Sequence, residues 1–177
     1  MIEGDGENSM KKLTVFVLCL GVVSLAADTV DEQNGKSLKH VSEAIRSLSQ
    51  SNPKITIYSL NPDLSLRNPT KKPKVAFHDF PVLGSAEIAD EKTKTLLVEA
   101  LAKSVPDKEP DYDVNCFAPK HGLRVATTKS TNEFVICFSC QKASAYGFRE
   151  ASDFYLTATG SNDFSSVLIR HKIPIAK

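Results

Sequence analysis

The sequence predicts an α+β domain, in which an antiparallel sheet is packed on one face by one long helix, with short N- and C-terminal helices. Three observations predict this fold class. The composition is that of one ordinary globular domain, since 41% of the 177 residues are hydrophobic and 24% are charged. Most strand-like segments follow one another through turns rather than through helices, as in antiparallel sheets. Helically spaced apolar residues between 90 and 104 indicate the long helix.

The N-terminal half predicts a short helix, a strand and a loop. Residues 35–50 predict an amphipathic helix that ends before Pro53, because apolar side chains recur at helical spacing. These apolar residues are Leu38, Val41, Ile45 and Leu48. Residues 54–60 are rich in β-branched and aromatic side chains and predict a strand. Prolines and lysines between 61 and 74 then indicate a solvated loop, because proline interrupts both helices and central strands.

The second half predicts the long helix and most of the sheet. Residues 80–86 predict a second strand, and the long helix follows with Asp90 as its N-cap and Pro106 beyond its end. The remaining residues are the richest in strand-forming types. In chain order they predict strands at 121–127 and 133–146 around a polar hairpin turn, a strand at 153–159 and a helix at 161–171.

The N-terminus resembles a secretory signal peptide. Lys11 and Lys12 precede an apolar run over 13–25, and small residues follow at the positions that a signal peptidase reads. The run is shorter than the ~20 residues that a membrane-spanning helix needs, which favours cleavage over a permanent anchor. Cleavage after Ala26 predicts a secreted or periplasmic protein with no stable membrane span. Met10 is the alternative start, because the residues before it are polar.

This interpretation divides the chain into three parts. Residues 1–26 are the predicted signal peptide, and residues 27–53 are an N-terminal amphipathic helix and linker. Residues 54–177 are a single α+β domain.

Charge and motifs exclude several classes of function. The chain has 22 basic and 21 acidic residues, so no strong positive field attracts it to nucleic acid. It contains no nucleophile elbow, phosphate-binding loop, zinc-protease helix or dinucleotide fingerprint. We therefore expect a non-enzymatic binding or interaction domain, with no assigned catalytic residue and no cofactor. The expected partner is an envelope protein or a small ligand.

Three cysteines and one histidine form the most informative pattern. Cys116 and His121 are followed by Cys137 and Cys140, and four such groups could complete a tetrahedral zinc site. The residues around Cys137 look like a strand, however, in which positions three apart lie roughly 10 Å apart on opposite faces. A disulfide or a shared metal therefore requires a turn or bulge between these two cysteines. We expect no cofactor, and zinc is the alternative.

Hairpin register suggests a different pairing. If the turn centres on Thr128 and Lys129, Cys140 lies opposite Phe117, next to Cys116. This register predicts a Cys116–Cys140 disulfide with Cys137 unpaired. Three alternatives stay open, namely reduced buried cysteines, a zinc site made of all four residues, and thiol-disulfide redox chemistry.

Several short motifs of the chain occur together in a known pattern. They are Tyr58-Ser59-Leu60-x-Pro62, Phe77-His78 with Val82-Leu83-Gly84, Cys116-Phe117-x-Pro119-Lys120-His121-Gly122-Leu123-Arg124, and Ile136-Cys137-Phe138-x-Cys140. With them the chain resembles an uncharacterised family of small exported bacterial proteins, over roughly Ile55 to Pro174. Lys120 stands where the family pattern has arginine, which keeps the charge and loses the planar fork. The resemblance implies an exported domain in which Arg124 belongs to the same pattern as the cysteines and the histidine. It implies no activity or substrate.

Overall fold

The computed structural model describes residues 28–63, 75–111 and 115–176. The predicted signal peptide and most of the predicted loop at 61–74 lie outside the described residues. Within the described part, no helix has the length and apolar character needed to span a membrane.

Three α-helices and seven β-strands make up the described fold. The helices are α1 (Asp28–Ser47), α2 (Glu91–Ser104) and α3 (Ser161–Arg170), with short 3-10 turns at Leu48–Ser51 and Ala158–Gly160. The strands are β1 (Lys54–Leu60), β2 (Ala76–Phe77), β3 (Phe80–Ile88), β4 (His121–Ala126), β5 (Thr131–Cys137), β6 (Lys142–Tyr146) and β7 (Asp153–Tyr155).

All seven strands belong to one antiparallel sheet. Their order is β2-β3-β1-β4-β5-β6-β7, and most neighbours in the sheet are also neighbours in the chain. The two edge strands are the shortest, since β2 has two residues and β7 has three. The α+β class and the antiparallel sheet are therefore confirmed.

One face of the sheet carries the main core. Alternation along β1 places Ile55 and Ile57 on this face, where they join apolar side chains of all three helices in one cluster. The helical members are Leu38, Val41 and Ile45 of α1, Leu97, Val98 and Leu101 of α2, and Phe164, Val167 and Leu168 of α3. The sequence had indicated one long helix against the sheet, but three helices contribute to this core.

The longest helix is α1, with 20 residues against 14 in α2. The sequence predicts its start at Gly35, whereas the structure begins the helix at Asp28. A glycine inside a helix costs only about 1 kcal/mol relative to alanine, so Gly35 does not have to mark a boundary. Helix α2 matches its prediction at both ends. The Asp90 carboxylate caps it by accepting a hydrogen bond from the Thr93 backbone N–H at 2.8 Å.

The predicted hairpin register is confirmed. Ala126 pairs with Thr131 and His121 pairs with Ile136, which centres the turn on Thr128 and Lys129. The predicted strand at 133–146 is instead two strands, because β5 ends at Cys137 and a tight turn leads into β6. Gln141 ends that turn with a φ of 52°, a left-handed conformation that reverses the chain.

Candidate functional site

The cysteine arrangement differs from the predicted pairing. Cys137 and Cys140 are joined as a disulfide with their Cα atoms 5.2 Å apart, and the Cys140 backbone N–H donates to Cys137 Sγ at 3.2 Å. In place of the predicted Cys116–Cys140 pair, Cys116 is free and exposed. The physical reason is that the β4–β5 pairing ends before it reaches Cys116. Strand β4 begins only at His121, so the strand pairing does not extend to Cys116, and the turn after β5 brings Cys137 and Cys140 together.

The four predicted zinc ligands do not form one site. His121 lies on the core face of β4, Cys137 and Cys140 are bonded to each other, and Cys116 is exposed. Over residues 28–63, 75–111 and 115–176, no three His, Cys, Asp or Glu side chains come together as a metal site would require.

His121 is a packed core residue. It is 5% exposed, its ring lies 5.5 Å from that of Phe138 and 5.9 Å from that of Phe164, and Nε2 lies 3.2 Å from Ser165 Oγ. Burial, helped by the neighbouring positive charge of Lys120, lowers the pKa of His121 to about 4. The imidazole is therefore neutral near pH 7 and connects the start of β4 to helix α3.

The opposite face of the sheet carries a polar and aromatic row. Cross-strand pairing places Arg124 of β4 between Thr56 of β1 and Glu133 of β5, and Glu133 pairs in turn with Tyr146 of β6. The Arg124 Nε–H donates to Glu133 Oε1, and the guanidinium carbon lies 5.6 Å from the ring centroid of Tyr58. The hairpin register predicted from sequence already places Arg124 opposite Glu133, so this ion pair could have been found from the same turn assignment.

A second basic side chain reaches Glu133 from the far edge of the sheet. His78 lies in the turn between β2 and β3 with a φ of 53°. Its ring stacks on that of Tyr146 at 3.6 Å between centroids, and Nε2 lies 3.0 Å from Glu133 Oε2. The Nε2 direction does not satisfy hydrogen-bond geometry, so the contact is an ion pair only when His78 is protonated. Since β2 and β6 lie on opposite sides of the sheet order, this contact shows that the sheet curls.

The β2–β3 hairpin is held on this face by close packing. Phe77 stacks on Tyr58 at 4.2 Å between ring centroids, and both belong to a small apolar cluster with Leu60, Phe80 and Val135. A Cβ at Gly122 would lie 2.9 Å from the Phe77 ring, so only glycine lets this ring approach the sheet. Burial raises the pKa of Tyr58, with Arg124 opposing the shift and Glu133 adding to it, which keeps the phenol protonated at neutral pH.

These side chains make up the Glu133 cluster, which consists of Tyr58, Phe77, His78, Arg124, Glu133 and Tyr146. The Glu133 carboxylate contacts both Arg124 and His78, and aromatic rings pack against each of these two basic side chains. Sequence analysis singled out Arg124 and did not identify the other members as a site. The His78 contacts depend on how far the sheet curls, and no local pattern reports that.

No protein-family model matches the chain, and no curated protein or solved structure is significantly similar to it.

Proposed function

We propose that the chain is an exported, non-enzymatic binding domain that recognises an anionic group of a small ligand or an envelope protein at the Glu133 cluster. In this proposal the Cys137–Cys140 disulfide and His121 brace the fold and take no part in ligand recognition. The observation that carries the proposal is the state of Arg124, whose guanidinium is held by Glu133 and two aromatic rings while its side chain stays 44% exposed.

Arg124 has the geometry of an anion receptor. Its Nε is bound to Glu133 and its guanidinium lies over the rings of Tyr58 and Phe77, at 5.6 and 5.8 Å. The hydrogen bond described for this side chain uses Nε, and the side chain is 44% exposed, so solvent reaches the guanidinium. A guanidinium held in this way can bind a carboxylate or phosphate through two parallel hydrogen bonds, and little side-chain entropy is lost on binding.

The rest of the cluster favours an anion with a flat or apolar neighbour. The negative charge of Glu133 is already paired with Arg124, so it opposes an incoming anion less than a free carboxylate would. Tyr146 is 42% exposed and stacks on His78, so it presents ring surface within the cluster. An aromatic ring next to a charged fork is typical of sites that read both charge and shape.

The buried positions of the sulfurs support a bracing role. Cys137 is 1% exposed and Cys140 is 3% exposed, whereas a disulfide that oxidises other proteins has to be reached by a substrate thiol. The neutral His121 supports the same role, since its ring is packed between Phe138 and Phe164 and its Nε2 bonds to the Ser165 hydroxyl of α3.

Titration with a small dianion tests the binding site. Succinate added to the ¹⁵N-labelled protein is expected to shift the Arg124 Nε–Hε signal and the amides of Glu133 and Tyr146, at constant ionic strength. Uncharged succinamide should cause no such shift. The variant Arg124→Ala is expected to bind succinate at least about tenfold more weakly, because it loses a charge-assisted pair of hydrogen bonds.

Arg170 gives a matched control, since it is an exposed arginine of α3 outside the cluster. The variant Arg170→Ala should bind succinate like the wild type. The proposed site would be refuted by equal succinate affinity in the Arg124→Ala variant and the wild type, or by shifts centred away from β4 and β5.

Export is tested separately by intact mass. Protein recovered from outside the cytoplasm is expected to begin at Ala27, and the variant Ala26→Gln should block this cleavage because a signal peptidase requires a small residue there. Recovery of the chain with its first 26 residues still attached would contradict the predicted cleavage and would leave the binding test unaffected.

A further inference from the structure

We infer that Cys116 exchanges with the Cys137–Cys140 disulfide, so that the protein has a second bonded form with a Cys116–Cys140 disulfide and a free Cys137. The proposal rests on a contact between the segment that carries Cys116 and one particular sulfur of the disulfide. It does not depend on the proposed binding function.

The contact is a hydrogen bond to Cys140. The backbone N–H of Ala118 donates to Cys140 Sγ at 3.3 Å. Two peptide units separate Ala118 from Cys116, so the Cα of Cys116 lies within about 6 Å of that nitrogen, and within about 9 Å of Cys140 Sγ. The Cα of Cys140 lies about 3 Å from its own Sγ, so the two Cα atoms are at most about 12 Å apart. A movement of at most about 5 Å therefore brings them to the separation of about 4.4–6.8 Å that a disulfide needs.

The backbone around Cys116 lies outside the regular secondary structure. Residues 115–120 form neither helix nor strand, and Cys116 is exposed. The far end of the segment is anchored, because the Lys120 carbonyl accepts a hydrogen bond from the Leu60 N–H at 3.0 Å and Pro119 is buried. Cys116 is therefore exposed and lies at the opposite end of the segment from its anchor at Pro119 and Lys120, and Ala118 between them contacts the disulfide.

The exchange balances without an external oxidant. Cys116 releases its proton to water, and its thiolate attacks Cys140 Sγ. The Cys116–Cys140 bond forms, the Cys137–Cys140 bond breaks, and the electron pair leaves on Cys137, which takes a proton from water. One disulfide and one thiol are present before and after the step.

The turn is arranged to stabilise the leaving sulfur. Cys137 Sγ accepts the Cys140 backbone N–H at 3.2 Å and lies 3.4 Å from the Ser139 hydroxyl. Hydrogen bonds to a thiolate favour its formation. Attack on Cys140 rather than on Cys137 is favoured for this reason and because the described contact of the Cys116 segment is with Cys140 Sγ.

Alkylation of the wild-type protein tests the exchange directly. We expect slow alkylation of the native, oxidised protein with iodoacetamide, without reductant, to label Cys116 in some molecules and Cys137 in others, and never Cys140. Labelling is carried out at pH 6 and at pH 8, and the ratio of label on Cys137 to label on Cys116 reports the exchange, since iodoacetamide itself reacts with thiolates. The variant Cys116→Ser should show no labelling at Cys137. Peptide mapping keeps any Cys19 signal separate.

Two serine variants form a matched pair. In an oxidising glutathione buffer, Cys137→Ser should form an internal Cys116–Cys140 disulfide, whereas Cys140→Ser should form at least about tenfold less Cys116–Cys137 disulfide. Circular dichroism checks that each variant is folded. Wild-type labelling confined to Cys116 at both pH values would overturn the proposal. So would a folded Cys137→Ser variant that carries glutathione on Cys116 and Cys140 instead of an internal bond.

Discussion

Replacing Phe164 with alanine is expected to lower the free energy of unfolding by about 3–5 kcal/mol. Phe164 is fully buried, and its ring lies 5.4 Å from that of Phe138 and 5.9 Å from that of His121. It therefore joins α3 both to the strand that carries His121 and to the turn that carries the disulfide. The deletion leaves a cavity at the meeting point of these three elements, where the surrounding backbone has little freedom to collapse.

The same helix supplies the control. Ile169 is 64% exposed, so Ile169→Ala should change the free energy of unfolding by less than about 0.5 kcal/mol. Urea unfolding followed by circular dichroism measures both variants under identical conditions. Equal effects of the two substitutions would mean that α3 does not pack against the sheet through Phe164.

A second large effect is expected from acid. The pKa of His121 falls from 6.5 to about 4 on folding, so the unfolded chain takes up a proton more readily than the folded protein. The stability from the neutral imidazole is complete above pH 6.5 and is lost as the pH falls from 6.5 to about 4. The loss amounts to about 3 kcal/mol for this group. Below about pH 4 the folded protein also takes up the proton, and the dependence on His121 ends.

Urea unfolding at a series of pH values tests this dependence. The variant His121→Leu keeps an apolar side chain at the site and removes the titration, so its stability should fall about 3 kcal/mol less than that of the wild type between pH 7 and pH 4. Titration of Asp90 contributes little to the loss of stability between pH 7 and pH 4. Its pKa lies below 3.8 because the carboxylate caps α2, so its contribution is lost at lower pH. Parallel pH profiles for wild type and variant would show that His121 is hydrated in the folded protein.

The elements that sequence predicts well are those specified by local chemistry. Helix α2 was recognised from Asp90 at one end and Pro106 beyond the other, and the β4–β5 register followed from the polar turn around Thr128. In these cases the residues that determine the element lie within it or next to it. The class of the fold follows from the same information, because turns rather than helices connect most strands.

Two kinds of feature could not be predicted from the sequence. One is a segment whose strand-like composition is overridden by a turn, and the other is a contact between residues that are far apart in the chain. Residues 137–140 have strand-like composition, and the left-handed conformation of Gln141 is what turns the chain and brings Cys137 and Cys140 together. The ion pair of His78 with Glu133 joins residues far apart in the chain through the curl of the whole sheet. Arg124 was singled out from a motif, but its neighbours in the Glu133 cluster come from four other elements.

The short edge strands limit how a partner can be recognised. A partner that binds by adding its own strand to a sheet needs a run of unpaired backbone groups at the edge. The described sheet offers two residues at β2 and three at β7, which is too short a template for a stable added ladder. The same brevity protects concentrated protein from edge-to-edge aggregation. In the proposed binding function, recognition therefore comes from side chains on the faces of the sheet, and its specificity depends on chemical identity rather than on backbone pairing.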